Sequence, residues 1–144
     1  MNWRLCLACV VVIVCAARPA GACACADMGS LADEYRQSDA VFVGRIVSIE
    51  ISAEVVKGHR IEHMTATFKV ERRWKGPSVR RLRVGTCGTQ TMVCTCGVDF
   101  QLGQRYVVFA EGKPLTTSSC NRTTLADTAD NELLKSLDAA ARRK

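Results

Sequence analysis

The stretch Ala40-Val41-Phe42-Val43-Gly44-Arg45-Ile46-Val47-Ser48-Ile49-Glu50-Ile51 decides the fold. It is rich in β-branched residues, which fit a pleated, half-buried surface, and it predicts one long strand. A glycine inside such a run marks a bulge or a sharp bend, so Gly44 is where the strand would curve. Outward from it, Lys57-Gly58-His59 reads as a turn, and Thr65 to Trp74 alternates as a second strand. Ala66, Phe68, Val70 and Trp74 fall on one face of that strand, and Thr65, Thr67, Lys69, Glu71 and Arg73 on the other. Gly76-Pro77 ends it, and Val79 to Val84 returns with Leu82 and Val84 inward.

Arg105 to Ala110 follows the Leu102-Gly103-Gln104 turn as another strand, and Leu115 to Thr117 reads as a last short one. Helices flank this set. Ser30-Leu-Ala-Asp33 has the form of a helix cap, with Leu31 and Tyr35 on one face. Asp130 to Arg143 spaces Leu133, Leu134, Leu137 and Ala140 helically and ends in basic residues, which suit a helix C-terminus. The expected fold is all-β with flanking helices, a five-stranded Greek-key barrel of the OB type, with a two-sheet sandwich as the alternative. Val41, Val43, Phe68, Val70, Leu82, Val84, Val107 and Phe109 are expected to point into the barrel.

The N-terminus predicts export. Arg4 precedes a nearly unbroken apolar run from Leu5 to Ala17, followed by Ala20-Gly21-Ala22, the small-residue pattern of a cleavage site. A membrane-spanning helix needs roughly 20 apolar residues, more than this run holds. Residues 1–22 are therefore expected to be a signal peptide, and residues 23–144 one exported domain, extracellular or periplasmic. A lipid anchor on Cys23 is the minority alternative. Cys6, Cys9 and Cys15 leave with the leader, and the nine cysteines become six: Cys23, Cys25, Cys87, Cys94, Cys96 and Cys120. An even number in a small exported chain reads as a disulfide framework. Zinc would favour two to four residues within each cysteine pair, and Cys23-Ala24-Cys25 and Cys94-Thr95-Cys96 each have one. No metal of its own and no cofactor is expected.

Arg4 and Arg18 also leave with the leader, so 18 Lys and Arg face 14 Asp and Glu, a net charge of +4. Arg72, Arg73, Lys75, Arg80, Arg81 and Arg83 concentrate the excess in a stripe that can attract an anionic polymer. No aromatic ladder interleaves it, which argues against nucleic acid. His59-Arg60-Ile61-Glu62-His63 matches H-x-x-E-H, but that zinc-peptidase pattern works only on a helical face, and this segment lies between a glycine and a strand. Without a nucleophile-base pair or a phosphate loop, an enzyme is not expected. Asn121-Arg122-Thr123 is a glycosylation sequon.

Taken in order, the mature Cys23-Ala24-Cys25, Ser38 to Glu50, Phe68 to Pro77 ending in Trp-Lys-Gly-Pro, Cys96-Gly-Val-Asp-Phe-Gln-Leu-Gly103 and Leu115 to Cys120 resemble a known family. The chain is similar to the N-terminal, netrin-type domain of the tissue inhibitors of metalloproteinases, especially short bacterial relatives. The resemblance implies an OB-fold barrel with Cys23 joined to Cys96 and Cys25 to Cys120, which leaves Cys87 to pair with Cys94.

It also implies a mechanism. The free amine and the carbonyl oxygen of Cys23 would chelate the catalytic zinc of a metalloendopeptidase, the amine being easily deprotonated near neutral pH. Ala24, smaller than the family's usual Ser or Thr, would face the specificity pocket, and Cys25, Thr95 and Cys96 would form the supporting ridge. The implied protein is a secreted, monomeric metalloprotease inhibitor. The alternative is a non-inhibitory netrin-like module that binds a protein or an anionic glycan or lipid.

Overall fold

The computed structural model describes Cys25, residues 29–87 and residues 96–143. The expected leader, Cys23, Ala24, Cys94 and Thr95 lie outside the described residues. Seven elements follow in order: α1 (Leu31–Gln37), β1 (Ala40–Val56), β2 (His59–Lys75), β3 (Arg81–Cys87), β4 (Arg105–Ala110), β5 (Thr124–Leu125) and α2 (Asn131–Arg142). The strands form one antiparallel sheet in the order β3-β2-β1-β4-β5.

The first helix starts at the cap read at Ser30, and the structure shows a second cap at Asp130. The Ser30 hydroxyl accepts the Asp33 amide and the Asp130 carboxylate accepts the Leu133 amide, each satisfying a donor that the first helical turn leaves unpaired. Strands β1 and β2 run past their expected limits, to Val56 and back from His59, about a turn at Lys57-Gly58 where both residues have positive φ. Strand β3 starts at Arg81, later than expected, and Val79 is exposed.

Three register shifts break the β1–β2 ladder. Val47 is the extra residue on β1, while Glu71 and Trp74 are extra on β2. Each added residue bends its strand and changes which face the following side chains meet. Gly44 sits beside one shift, and a Cβ there would stand 3.0 Å from the Lys69 carbonyl and 3.2 Å from the Phe68 side chain.

The buried residues form two clusters on opposite faces of the sheet. Inside the curve lie Ala40, Phe42, Ile46, Ala66, Phe68, Leu82, Val84, Phe100, Tyr106, Val108 and Ala110. Phe68 is fully buried at the centre, edge-on to Phe42, Phe100 and Tyr106 at centroid distances of 5.4, 5.2 and 6.4 Å. On the other face Val41, Val43, Trp74, Val107 and Phe109 pack with Tyr35 of α1 and Leu137 of α2.

This corrects the expected core. Phe68, Val70, Leu82 and Val84 do pack on the inner side, but Val41, Val43, Val107 and Phe109 are buried beneath the helices. The adjacent residues Phe42 and Val108 fill the interior in their place. At Ala40–Val43 and throughout most of β4 both faces are covered, so alternation carries no polarity signal there. Trp74 leaves the face of Phe68 because of the Glu71 and Trp74 bulges.

The Leu115–Thr117 segment forms isolated bridges in place of the expected strand, and β5 lies later, at Thr124–Leu125. The Gly85 amide donates to Leu115 O and the Thr117 amide to Gly85 O, both at 2.9 Å. Thr116 exchanges amide–carbonyl bonds with Glu111 at 2.8 and 2.9 Å. One short segment thus touches β3 on one side and the end of β4 on the other. The sheet itself is not closed.

Candidate functional site

The four described cysteines, Cys25, Cys87, Cys96 and Cys120, gather at one corner, at the C-terminal end of β3. Cys25 and Cys120 are joined, with Cα atoms 5.2 Å apart across 95 positions of sequence. Cys87 and Cys96 each take part in a disulfide as well. Cys94 and Cys23, the partners that the family resemblance implies for them, are outside the described residues.

Backbone contacts tie the corner together. The Ser119 amide donates to the Cys96 carbonyl at 2.9 Å, which sets Cys120 beside Cys96. Val98 N–H donates to Thr86 Oγ1 at 3.0 Å, fixing the Cys96-Gly97-Val98 run against the end of β3. Gly97 passes so close to Cys87 that a Cβ would lie 1.9 Å from the Cys87 carbonyl oxygen. No side chain fits there.

Beyond Cys120 the chain is held by a polar network. Asn121 Nδ2 donates to Phe109 O at 2.8 Å, and its Oδ1 accepts the Thr123 amide at 3.0 Å. Thr117 Oγ1 donates to Phe109 O at 2.7 Å and lies 2.8 Å from Thr123 Oγ1. The sequon asparagine is therefore committed to the fold through the nitrogen that would carry a glycan.

Next to it, Arg122 forms a salt bridge with Glu34 of α1, whose carboxylate also accepts the Arg122 amide at 2.6 Å. The Glu34 side chain is only 7% exposed, so this pair pins α1 to the strand-rich body from within. Arg122 also donates to Gly29 O at 3.0 Å, which braces the segment following Cys25. The sequence carries no sign of this pair beyond the closeness of Arg122 to the last cysteine.

The basic stripe divides. Arg72 is paired with Asp138 of α2 and lies 4.9 Å over the Trp74 ring, whose Nε1 donates to the same carboxylate at 2.7 Å. Hydrogen bonds from Trp74 and Arg72 hold the Asp138 carboxyl below the ordinary aspartate value. Lys75 donates to the carbonyls of Tyr35 and Arg36 at 3.0 and 2.7 Å. Arg83 pairs with Glu50 at 2.8 Å. Arg73, Arg80 and Arg81 are exposed, with no ion pair among the described residues.

His59 to His63 lies within β2. Alternation puts Glu62 on the opposite face from both histidines, and His63 Nε2 contacts Glu54 Oε1 at 3.0 Å. Among the described residues no group of three metal-ligating side chains converges, and no helix is long and apolar enough to cross a membrane. The chain matches no protein-family model and no curated protein.

Proposed function

We propose that the chain is a secreted inhibitor of zinc metalloendopeptidases, related to the netrin-type domain of the tissue inhibitors of metalloproteinases. In this reading the protein carries out no chemistry itself. The amine and carbonyl of Cys23 ligate the target's metal, Ala24 faces its specificity pocket, and Cys25, Thr95 and Cys96 back the contact.

The observation that supports it is the Cys25–Cys120 bridge together with the Ser119–Cys96 hydrogen bond. These bring the second half of the C-x-C motif to a rigid corner with Cys96 alongside. A chelating terminus needs this kind of anchor, because a flexible end would lose affinity to the entropy of ordering it.

The finer reading of the sheet is a five-stranded OB-type barrel. It is supported by the sheet's curvature around Phe68 and by Leu115–Thr117, which hydrogen-bonds to Gly85 on one side and to Glu111 on the other. Within this proposal, residues 1–22 are removed on export and the new terminus is Cys23.

The test is an inhibition series on a panel of zinc endopeptidases, comparing a free Cys23 terminus with one carrying a single added residue. The addition converts the amine to an amide, a poor zinc ligand, so inhibition should collapse while the disulfides persist. Equal inhibition by the two forms would exclude chelation. Ala24→Thr leaves both donor atoms in place and should preserve or strengthen inhibition of proteases with a roomy pocket.

A further inference from the structure

We propose that the outward face of β1, β2, β3 and β4 is a binding track for a linear anionic polysaccharide, separate from the cysteine corner and independent of protease inhibition. The strand register carries the case. Arg105 lies opposite Arg45, Arg45 opposite Lys69, and Lys69 opposite Arg81, so four cations form one row across four strands. Strands are about 4.8 Å apart, which makes the row roughly 14 Å long. Their chain neighbours Tyr106, Ile46, Phe68 and Leu82 are all in the inner core, so the row faces outward. Arg83, opposite Thr67, adds a fifth cation beside it.

Acidic residues answer only part of this charge. Glu71 takes Arg105 at 2.8 Å and lies 3.7 Å from Arg45; Asp127 lies 3.5 Å from Arg105, Arg45 donates to Gly103 O at 2.7 Å, and Glu50 takes Arg83 at 2.8 Å. Lys69 and Arg81 face each other directly with no acidic partner among the described residues. Like charges set opposite one another across a ladder destabilise it. Nothing in the core needs either head group, and an external anion bridging the two would remove the repulsion. The row differs from the stripe read along the chain, because Arg72 and Lys75 are already engaged by Asp138 and by carbonyls of α1.

Two features select the ligand. The aromatic side chains of the sheet lie in the inner core or, for Trp74 and Phe109, beneath the helices, leaving no platform on which bases could stack. Helix α2 covers the neighbouring part of the same face, over Val43, Trp74 and Val107. A helix is about 10 Å thick, so it holds a planar membrane off the row while a linear chain can run along its foot.

The test uses the mature, disulfide-bonded protein with immobilised dextran sulfate and polygalacturonate as probes. Binding at low salt should weaken about tenfold or more as salt rises to physiological strength, as expected for counterion release. The double variant Lys69→Gln, Arg81→Gln should lose binding about tenfold or more and lower the salt slope by about one for each charge removed. Its urea midpoint should stay level or rise, and its protease inhibition should match wild type. Arg72→Gln should leave polysaccharide binding intact. Unchanged binding by the double variant, a lowered midpoint, an equal loss in Arg72→Gln, or tighter binding to anionic vesicles or single-stranded DNA would each overturn the proposal.

Discussion

The Ser119 amide and the Cys96 carbonyl, 2.9 Å apart, place the chain's last cysteine next to the C-G-V motif that precedes it by 24 positions. Gly97 sits within this contact, and the corner closes only because it has no side chain. Gly97→Ala should push the backbone between Cys96 and Val98 away from the Cys87 carbonyl, lowering the yield of correctly bridged protein; peptide mapping of the unreduced product measures this.

Removing the Cys25–Cys120 bridge frees a loop of 95 positions in the unfolded chain. Cys25→Ser together with Cys120→Ser should cost about 2 to 5 kcal/mol, a large share of a small domain's stability. Urea titration should show a lowered midpoint, and an unchanged midpoint would mean that the bridge adds nothing to the fold.

Phe68→Ala removes the ring at the centre of three edge-on aromatic contacts in a fully buried site. The expected loss is about 3 to 5 kcal/mol, from lost burial plus the cavity left behind. Val41→Ala should also destabilise, but by loosening the helices on the opposite face. Protection of α2 amides from hydrogen exchange separates the two effects, falling selectively only in the second.

Breaking Glu34 from Arg122 leaves a charge uncompensated near the base of α1. Arg122→Ala should cost about 3 kcal/mol, since the Glu34 carboxylate stays buried. Replacing both residues with apolar ones of similar volume should recover much of that loss in the same denaturation assay.

Asp138 gives a pH signature. Its folded pKa lies below the ordinary aspartate value of 3.8, so the folded state holds its proton less tightly than the unfolded chain. Stability from this contact is present above the unfolded value and is lost as pH falls from there through the folded pKa. Acid titration of thermal stability should therefore steepen below about pH 4, and Asp138→Asn should flatten that part of the curve.

Much of the fold was legible because local chemistry decides it. Ser30 caps its helix, the spacing of Leu133, Leu134 and Leu137 marks the second, Lys57-Gly58 turns the long hairpin, and Arg105–Ala110 forms a strand at the expected limits. What failed was the facing of residues. Val41 and Phe42 are equally apolar and equally buried, and only the helices packed on one side separate their roles. The bulges at Val47, Glu71 and Trp74 leave no mark in composition, so a period-two reading drifts out of phase past each of them. At the cysteine corner, Cys25 and Cys120 were visible as residues, whereas Glu34, Ser119 and Asn121 act through long-range contacts that no spacing reveals.

Trp74 gives the domain a built-in optical probe. Residues 23–144 contain no other tryptophan, and this indole is packed under α2 with its N–H bonded to Asp138 and a guanidinium over its face. Its fluorescence therefore comes from a single place, the seam between helix and sheet. A red shift in emission that precedes loss of strand circular dichroism would mean that α2 peels away before the sheet opens, and coincident changes would mean that the two layers melt as one unit.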